Sequence, residues 1–242
     1  MKVLPVIGWQ KEAKGFWQQF KKLNVKEEYD NPDKILELGG DGALLGAQRD
    51  YYKLNKPFIG VGFGSVNFLL NRSIDTPTDL YEKLEKNEWV DFLAQAIEAD
   101  IITKSGTQKG IAFNDIYLKA VDPTGTITLK LNTHEYSDLE VKGDGLILAT
   151  PQGSTAYSRN AGGTILPLGS KLWCLTGICT QNKLGVVVAQ QEVQIDVVCG
   201  EAVLITDNKI FEQVESVRIM PSNFKTVIGF DTNENFEQRR NE

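Results

Sequence analysis

The sequence predicts a two-domain protein: an α/β N-terminal domain with a mostly parallel sheet, followed by an all-β C-terminal sandwich domain. Up to about residue 90, short apolar runs alternate with helical patterns, which indicates βαβ units. From about residue 91 the apolar residues recur with a period of two, which indicates half-buried antiparallel strands. We therefore assign the α/β domain to residues 1–90 and the all-β domain to 91–220. Residues 221–242 are expected to return to the first domain, with a frayed end.

The first domain begins with predicted strands at residues 3–7, 35–38 and 58–61, each of them a short apolar run. Between the first two runs, apolar side chains recur at the spacing of one helical face, which predicts a helix packed on the sheet. This stripe consists of Ala13, Phe16, Trp17, Phe20 and Leu23. A second helix is predicted from Thr76 to about Asn87, because Thr76 is a good N-cap residue and Pro77 suits the first helical turn.

The second domain is predicted from strands whose residues alternate between the interior and the solvent. In the run 127–131, for example, Ile127, Leu129 and Leu131 alternate with polar residues, and the run 193–197 repeats the pattern. Turn-forming sequences at 122–125, 199–201 and 206–208 have the spacing of a β-sandwich or a meander.

The composition argues against several classes of protein. The formal net charge of the 242 residues is −6 at pH 7, and there is no long run of Lys and Arg, so we expect no nucleic-acid partner. The first residues do not form a signal peptide, and no apolar span reaches membrane length. We therefore expect a cytoplasmic protein without a membrane partner.

The cysteines and the histidine do not indicate a metal site. Cys174, Cys179 and Cys199 are odd in number, have apolar neighbours and lack Cys-x-x-Cys spacing, so we predict buried, reduced thiols. His134, the only histidine, lies in a predicted turn and is expected to be exposed. We therefore predict no metal ligands in the chain itself.

A glycine turn, Gly39-Gly40-Asp41-Gly42, directly follows a predicted strand and precedes a predicted helix. Backbone without a Cβ can approach a phosphate closely, and the start of a helix offers unpaired N–H groups and a positive dipole end. A carboxylate beside that anion site would repel phosphate unless a metal or a proton transfer requires it, so Asp41 favours phosphoryl transfer. The alternative is a plain strand-to-helix turn, since Gly and Asp are common turn residues.

A second cluster of small and hydroxylated residues extends from Gly143-Asp144-Gly145 through the run 150–158 to Gly162-Gly163. Ser154 or Thr155 could cap a helix that begins near Ala156, and Tyr157 supplies a flat wall for a base or a ribose. The alternative is an elaborate loop between a strand and a helix, but such a dense combination of these residue types favours ligand binding.

A third candidate is Asn114-Asp115, two polar residues inside an apolar run that predicts a strand. Consecutive strand residues point to opposite faces, so at least one of them needs a buried partner or a ligand. An amide beside a carboxylate suits the hydroxyls of a ribose, although the dipeptide alone is a weak signal.

Several common nucleotide-binding motifs are absent from the sequence. It has no Gly-x-x-x-x-Gly-Lys-Ser/Thr phosphate loop, and the run 60–65 narrowly misses the Gly-x-Gly-x-x-Gly fingerprint. The Asp-Phe-Gly and His-Arg-Asp motifs of protein kinases are also missing. A hydride-transferring Rossmann enzyme and the commonest kinases are therefore disfavoured.

Taken in chain order, the glycine turn, then Asn114-Asp115, then the block from Gly143 to Tyr157 resemble the motifs of the NAD kinase family over roughly residues 35–230. The third block, Gly143-Asp144-Gly145 with residues 150–157, is the specific part, because the glycine turn also occurs in diacylglycerol and sphingoid-base kinases and in 6-phosphofructokinases. The resemblance implies that the γ-phosphoryl group of ATP, with Mg²⁺ or another divalent metal, is transferred to the 2′-hydroxyl of the adenosine ribose of NAD⁺. It also implies the two-domain architecture, usually as a homodimer or homotetramer. The sequence does not choose between ATP and polyphosphate as the donor.

The resemblance also assigns roles to individual residues. Asp41 resembles the carboxylate that orients and deprotonates the 2′-hydroxyl. The residues expected to contact NAD⁺ are Gly42, Asn114, Asp115, Asp144, Ser154, Thr155, Ala156, Tyr157 and Asp207. Those expected to contact phosphate are Gly39, Gly40, Gly62 and Gly64.

The chain departs from the family pattern at a few positions. The family usually has Thr where this chain has Ala43, Asn-Glu where it has Asn114-Asp115, and Asp-Gly at residues 207–208. It also usually has Asn where this chain has Gly62 and Gly where it has Asn67. Two alternatives therefore stay open: a related kinase that acts on a lipid or sugar hydroxyl, and an NAD(P)-binding sensor with weakened catalysis.

Overall fold

A computed structural model describes residues 1–240. The chain divides into two compact units, one formed by residues 1–94 with the chain from Phe224 onward, the other by Gln95–Asn223. No helix among residues 1–240 is long and apolar enough to cross a membrane. Each unit is described by itself below.

The first unit contains a parallel sheet with helices packed on it. Its strands are β1 (Lys2–Ile7), β2 (Lys26–Glu27), β3 (Lys34–Gly39) and β4 (Phe58–Gly62), in the sheet order β2-β1-β3-β4. Its helices are α1 (Lys11–Phe20), α2 (Asp41–Tyr51) and α3 (Pro77–Lys86), with a 3-10 turn at Tyr52–Leu54. The predicted βαβ organisation is therefore confirmed.

The two predicted helices of this unit have the expected determinants. Ala13, Phe16, Trp17 and Phe20 are buried in α1, and Leu23 packs against the same core. At the start of α3 the Thr76 hydroxyl accepts a hydrogen bond from Asp79 N at 3.1 Å, and the helix ends at Asn87 in the left-handed conformation.

The second unit consists mainly of antiparallel strands. They are β5 (Trp89–Thr103), β6 (Gly106–Ala112), β7 (Asp115–Ala120), β8 (Ile127–Asn132), β9 (Leu139–Gly143), β10 (Gly145–Ala149), β11 (Leu172–Ile178), β12 (Gly185–Ala189), β13 (Val193–Cys199), β14 (Ala202–Thr206) and β15 (Lys209–Asp231). One run of pairing follows the order β12-β11-β10-β7-β14-β15, and another follows β15-β13-β8-β9. The boundaries of the unit fall inside β5 and β15, whose outer ends belong to the first unit.

The core of the second unit joins side chains from both runs of strands. Leu129, Leu131 and Ile195 from β8 and β13 lie in one cluster with Leu118 and Leu148 from β7 and β10. This packing confirms the predicted fold class, an α/β domain with a mostly parallel sheet and an antiparallel β domain of sandwich type. The only helical pieces of this unit among residues 1–240 are a 3-10 turn at Gly153–Thr155 and α4 (Tyr157–Asn160).

The expectation of buried thiols is wrong for two of the three cysteines. Cys174 is buried as predicted, but Cys179 and Cys199 are exposed. Both lie where a strand leaves the core. Cys179 directly follows β11 and has a φ of 46°, and Cys199 is the last residue of β13, just before Gly200 in a turn. The apolar neighbours in sequence therefore belong to the strands and do not cover these thiols.

The frayed end stays a prediction, and the described part of the C-terminal segment ends in a short helix. Asn235 caps α5 (Phe236–Arg239) by accepting a hydrogen bond from Gln238 N at 3.1 Å. Arg239 is buried and donates to the carbonyl oxygen of Leu70 at 2.9 Å. Residues up to 240 are thus held by packing and hydrogen bonds, whereas residues 241 and 242 of this prediction lie outside the described residues.

Candidate functional site

The glycine turn of the first unit has the predicted strand-turn-helix structure. Strand β3 ends at Gly39, Gly40 is the N-cap residue, and α2 begins at Asp41. Gly40 has no side chain to cap the helix, and a Cβ on Gly42 would meet nothing within 4 Å. The start of α2 therefore keeps uncapped N–H groups beside open space, as an anion site requires.

Asp41 is held in one orientation by main-chain groups. One carboxylate oxygen, Oδ2, accepts a hydrogen bond from Phe68 N at 2.9 Å, and Oδ1 accepts one from Leu69 N at 2.8 Å. The side chain is partly buried. Two charge-assisted bonds fix the plane of the carboxylate, which is the preorganisation that a catalytic acceptor of hydrogen bonds needs.

The segment that supplies these N–H groups is shaped by Asn67. Its side chain accepts from Gly64 N at 3.0 Å and donates to the Gly64 carbonyl oxygen at 2.8 Å, while its own φ is 55°. A Cβ on Gly62 would lie 2.8 Å from Asn67 Cγ, and one on Gly64 would lie 2.7 Å from Asn67 Oδ1. The two glycines therefore make room for the Asn67 carboxamide.

This arrangement changes the interpretation of Gly62 and Gly64 as phosphate contacts. The N–H of Gly62 donates to the Asn71 carbonyl oxygen at 2.9 Å, and the N–H of Gly64 is used by Asn67. Neither main-chain donor is left for a phosphate in this structure. We assign both glycines to the turn that orients Asp41.

Glu37 is a residue of this unit that the sequence analysis missed. It lies in the middle of β3 with 0% of its surface exposed, and neither carboxyl oxygen has a hydrogen-bond partner among residues 1–240. Burial raises the pKa of the Glu37 carboxyl to about 9, and the charge of Asp41 adds to the shift. A lone acidic residue inside the apolar run 35–38 was the signal that could have identified it.

The C-terminal segment supports the residues around Asp41. Arg239 forms an ion pair with Glu234, and its Nη2 donates to the Leu70 carbonyl oxygen at 2.9 Å. Burial lowers the pKa of the fully buried Arg240 to about 10, an effect that the charges of Glu237 and Asp41 oppose. Two cations thus lie near the carboxylate of Asp41, which the sequence analysis did not anticipate.

In the second unit, Asp207 organises the Asn114-Asp115 dipeptide. One of its carboxylate oxygens accepts from Phe113 N at 2.9 Å, and the other accepts from Asn114 N at 3.0 Å. Asp207 itself has a φ of 50° in the turn after β14. Asp207 and the Asn114-Asp115 dipeptide therefore lie together, and the Asp207 carboxylate holds the main chain of the dipeptide.

Asp115 is the buried carboxylate of this pair, with 5% of its surface exposed. Burial raises the pKa of Asp115 to about 7, and the nearby charge of Asp207 adds to the shift. A buried carboxylate that titrates near neutrality is a common feature of ligand and catalytic sites.

The run 150–153 is fastened to the same dipeptide. The Thr150 hydroxyl donates to the Phe113 carbonyl oxygen at 2.6 Å, and Gln152 Nε2 donates to Asn114 Oδ1 at 2.9 Å. The structure thus gives Asn114 the buried partner that its place in a strand-forming run required.

The residues that follow have different environments. Ser154 is fully buried, and its hydroxyl donates to the Pro151 carbonyl oxygen at 2.8 Å and accepts from Leu166 N at 2.9 Å. The predicted cap by Ser154 or Thr155 is wrong, because α4 begins at Tyr157 with Ala156 in the N-cap position and no side-chain cap. A 3-10 turn occupies residues 153–155 and places the hydroxyl of Ser154 inside the loop.

Tyr157 is the residue of this run whose ring remains accessible to a ligand. Its ring packs edge-on against Tyr117 with the centroids 5.1 Å apart, and it is only partly buried, as are Thr155 and Ala156. Such a fixed aromatic ring can form the wall of a nucleotide pocket.

Asp144 does not join the other predicted NAD⁺ contacts. It lies just before β10, whereas Thr150 follows the other end of that strand, and Asp115 pairs with Ala149 there. A strand of this length separates its ends by roughly 15 Å. The expected contribution of Asp144 to the same pocket is therefore not supported by this unit alone.

No group of three or more His, Cys, Asp or Glu side chains within residues 1–240 is placed to hold a metal ion. The carboxylates of the motifs are instead used in main-chain contacts, as for Asp41 and Asp207, or buried singly, as for Asp115. These residues do not fit a resident metal centre.

The chain is similar in sequence to bacterial NAD kinases. The profile of the ATP-NAD kinase C-terminal domain matches residues 113–228. An NAD kinase of Xanthomonas campestris pv. campestris is 33% identical over 217 residues, which cover 86% of this chain and 83% of the relative. An NAD kinase of Wolinella succinogenes is 34% identical over 173 residues, 70% of this chain. The chain spans only 59% of the length of that relative, and 57% of an NAD kinase of Xanthomonas oryzae pv. oryzae that is 38% identical.

Two solved structures share the fold. An NAD kinase from Archaeoglobus fulgidus in complex with ATP superposes with a TM-score of 0.77 at 24% identity, covering 98% of this chain and 96% of that one. A yeast NADH kinase complexed with NADH superposes with a TM-score of 0.83 at 16% identity, covering 99% of this chain and 86% of that one.

Proposed function

This chain belongs to the NAD kinase family, and from that premise we propose that it transfers the γ-phosphoryl group of ATP to the 2′-hydroxyl of the adenosine ribose of NAD⁺, giving NADP⁺. The observation that carries the proposal is the oriented carboxylate of Asp41 at the start of α2, beside the open glycine turn. Kinase chemistry needs a positioned group for the hydroxyl and a place for the phosphates, and this turn offers both.

In the proposed reaction, the 2′-oxygen of the ribose attacks the γ-phosphorus. The bond between that phosphorus and the β–γ bridging oxygen breaks, ADP leaves, and the proton of the hydroxyl passes to the Asp41 carboxylate. Because an ordinary carboxylate is a weak base, its main contribution is to orient the hydroxyl and to accept its proton late in the reaction.

The donor phosphates are assigned to the start of α2. Gly40 leaves the helix without a side-chain cap, the open face at Gly42 allows close approach, and the helix dipole favours negative charge there. Mg²⁺, or another divalent metal, would enter with the phosphates of ATP and neutralise the charge that develops on them. The chain's own contribution is the N–H groups of the turn.

The dinucleotide contacts are assigned to the second unit. Asn114 and Asp115 offer an amide and a buried carboxylate for ribose hydroxyls, and Tyr157 with Thr155 and Ala156 offers a wall for a base. Asp207 and Ser154 act indirectly, because their side chains hold the main chain of these loops. We also propose a cytoplasmic homodimer or homotetramer, an assignment that rests on the family resemblance.

A coupled assay tests the proposal, with NAD⁺, ATP and Mg²⁺ as substrates and an NADP⁺-specific dehydrogenase as the detector. We expect NADP⁺ from the wild type and a turnover roughly 10²–10⁴-fold lower from D41N, the range typical for loss of a general base. NAD⁺ binding should change little, because Asp41 acts on the reacting hydroxyl.

The matched control is D50N, which removes an exposed carboxylate from the same helix. It should keep the turnover of the wild type. Tight NAD⁺ binding without NADP⁺ formation from ATP or polyphosphate would instead support a sensor. Equal turnover of D41N and the wild type would show that Asp41 is structural.

A further inference from the structure

The carboxyl group of Glu37 is an unexplained buried acid directly beneath the glycine turn. Neither Oε1 nor Oε2 has a hydrogen-bond partner among the described residues, and the residue is completely inaccessible to solvent. A Cβ on Gly39 would collide with Oε1, and one on Gly60 would lie 3.4 Å from Oε2. The carboxyl therefore occupies the space that a side chain at Gly39 would need, and it borders Gly60, where Leu70 fills the corresponding space.

Among residues 1–240, no cation forms an ion pair with Glu37. Its neighbours across the sheet are Val6 in β1 and Gly60 in β4, which carry no charge. On the side of α2, the charge that acts on it is that of Asp41. Arg239 and Arg240, from the C-terminal segment, interact with Asp41 in turn.

An ionised carboxylate in this position would be costly. It would lose its hydration without gaining a hydrogen bond or a counter-ion, and it would repel Asp41. The neutral acid avoids both costs, consistent with the raised pKa of Glu37. A second negative charge here would also reduce the positive electrostatic potential at the start of α2, where the donor phosphates are assigned.

We propose that Glu37 is a positioning residue of the donor site that works as an uncharged carboxylic acid. It fills the space beneath Gly39, and it adds no negative charge to the start of α2 as long as it keeps its proton. This inference rests on the proposed function, since it concerns the phosphates of the donor.

The experiment compares donor binding by the wild type and E37Q between pH 7 and pH 10, by calorimetry with MgATP and with tripolyphosphate. The amide of Gln has nearly the same shape as the acid but cannot ionise. We expect the affinity of the wild type to fall roughly tenfold or more above about pH 9, as the buried charge forms, and that of E37Q to stay nearly constant. NAD⁺ binding should show no such difference between the two proteins.

The matched control is E12Q, which removes an exposed carboxylate from α1. It should follow the wild type and so report the titration of all other groups. If E37Q loses affinity at alkaline pH as the wild type does, the inference is overturned while the proposed function stands. If no variant binds either donor at any pH, the donor site at α2 fails and the inference with it.

Thermal unfolding gives a second, independent measurement. Because the folded-state pKa of Glu37, about 9, lies above the model value of 4.5, the contribution of its proton to stability is fully present below about pH 4.5 and is lost as the pH rises to 9. The melting temperature of E37Q relative to the wild type should therefore be higher at pH 8 than at pH 5. An equal difference at both pH values would overturn the assignment of a buried neutral acid.

Discussion

At the scale of single residues, the carboxylates near the motifs differ mainly in the hydrogen bonds that they accept. Asp41 and Asp207 each accept two or more main-chain N–H bonds, whereas the buried carboxyls of Glu37 and Asp115 have raised pKa values because burial disfavours their charged forms. Four acidic residues near the motifs thus have two distinct behaviours. The sequence alone does not separate them, because burial and main-chain donors arise from the fold.

The raised pKa of Asp115 predicts a pH dependence of NAD⁺ binding. The ionised carboxylate is the better acceptor for a ribose hydroxyl, and its fraction grows as the pH rises through about 7. We expect NAD⁺ affinity to increase by up to about tenfold between pH 6 and pH 8, and to become flat in D115N. Calorimetry at three pH values is the measurement, with the exposed D138N as the control. If the NAD⁺ affinity of D115N varied with pH as that of the wild type does, the titration would belong to another group.

At the scale of elements, the turn between β4 and α3 is the part that the sequence described least well. Its glycines suggested a phosphate site, but their conformation is dictated by Asn67, a residue with no functional motif of its own. By contrast, β3, α1 and α3 were predicted closely, because their apolar periodicity and the cap at Thr76 are local signals.

The fit between Gly62 and Asn67 predicts a strong coupling of their substitutions. A G62A methyl group would lie within 3.0 Å of the Asn67 side chain, so we expect a loss of about 1–3 kcal/mol of unfolding free energy from overpacking. The double variant G62A/N67G removes the carboxamide and should be less destabilised than the sum of the two single changes. Urea unfolding of the four proteins measures the coupling, and strict additivity would contradict this description of the turn.

The C-terminal segment predicts an effect on catalysis at a distance from the substrate. In R239A, the carbonyl of Leu70 and the Oε2 of Glu234 lose their contacts with the guanidinium, which loosens the segment that orients Asp41. We expect kcat to fall about tenfold with little change in NAD⁺ affinity, because only the positioning of the carboxylate is affected.

The control for this variant is R218A, which removes a half-exposed arginine that pairs with Asp100 in the second unit. It should leave kcat unchanged. A similar decrease in both variants would indicate a general loss of stability, and full activity of R239A would show that the turn holds Asp41 without the C-terminal segment.

At the scale of the whole molecule, the fold class could be predicted because it depends on pattern. A period of 3.6 in the first part and a period of two in the second suffice to separate parallel βαβ units from antiparallel strands. The three motifs were also found, since glycine turns and dense hydroxyl clusters are visible in sequence. The role of Ser154 was not, because it depends on a contact with Leu166, and the exposure of Cys179 was not, because its apolar sequence neighbours belong to β11 and do not cover it.

The hydrogen bonds from main-chain amides to Asp41 and Asp207 have a consequence for sequence variation. Since the donors are the N–H groups of residues 68, 69, 113 and 114, these hydrogen bonds do not themselves depend on which side chains stand at those positions. Proline is the exception, because it has no N–H to give. These hydrogen bonds can therefore be kept while the residue types at the donor positions change.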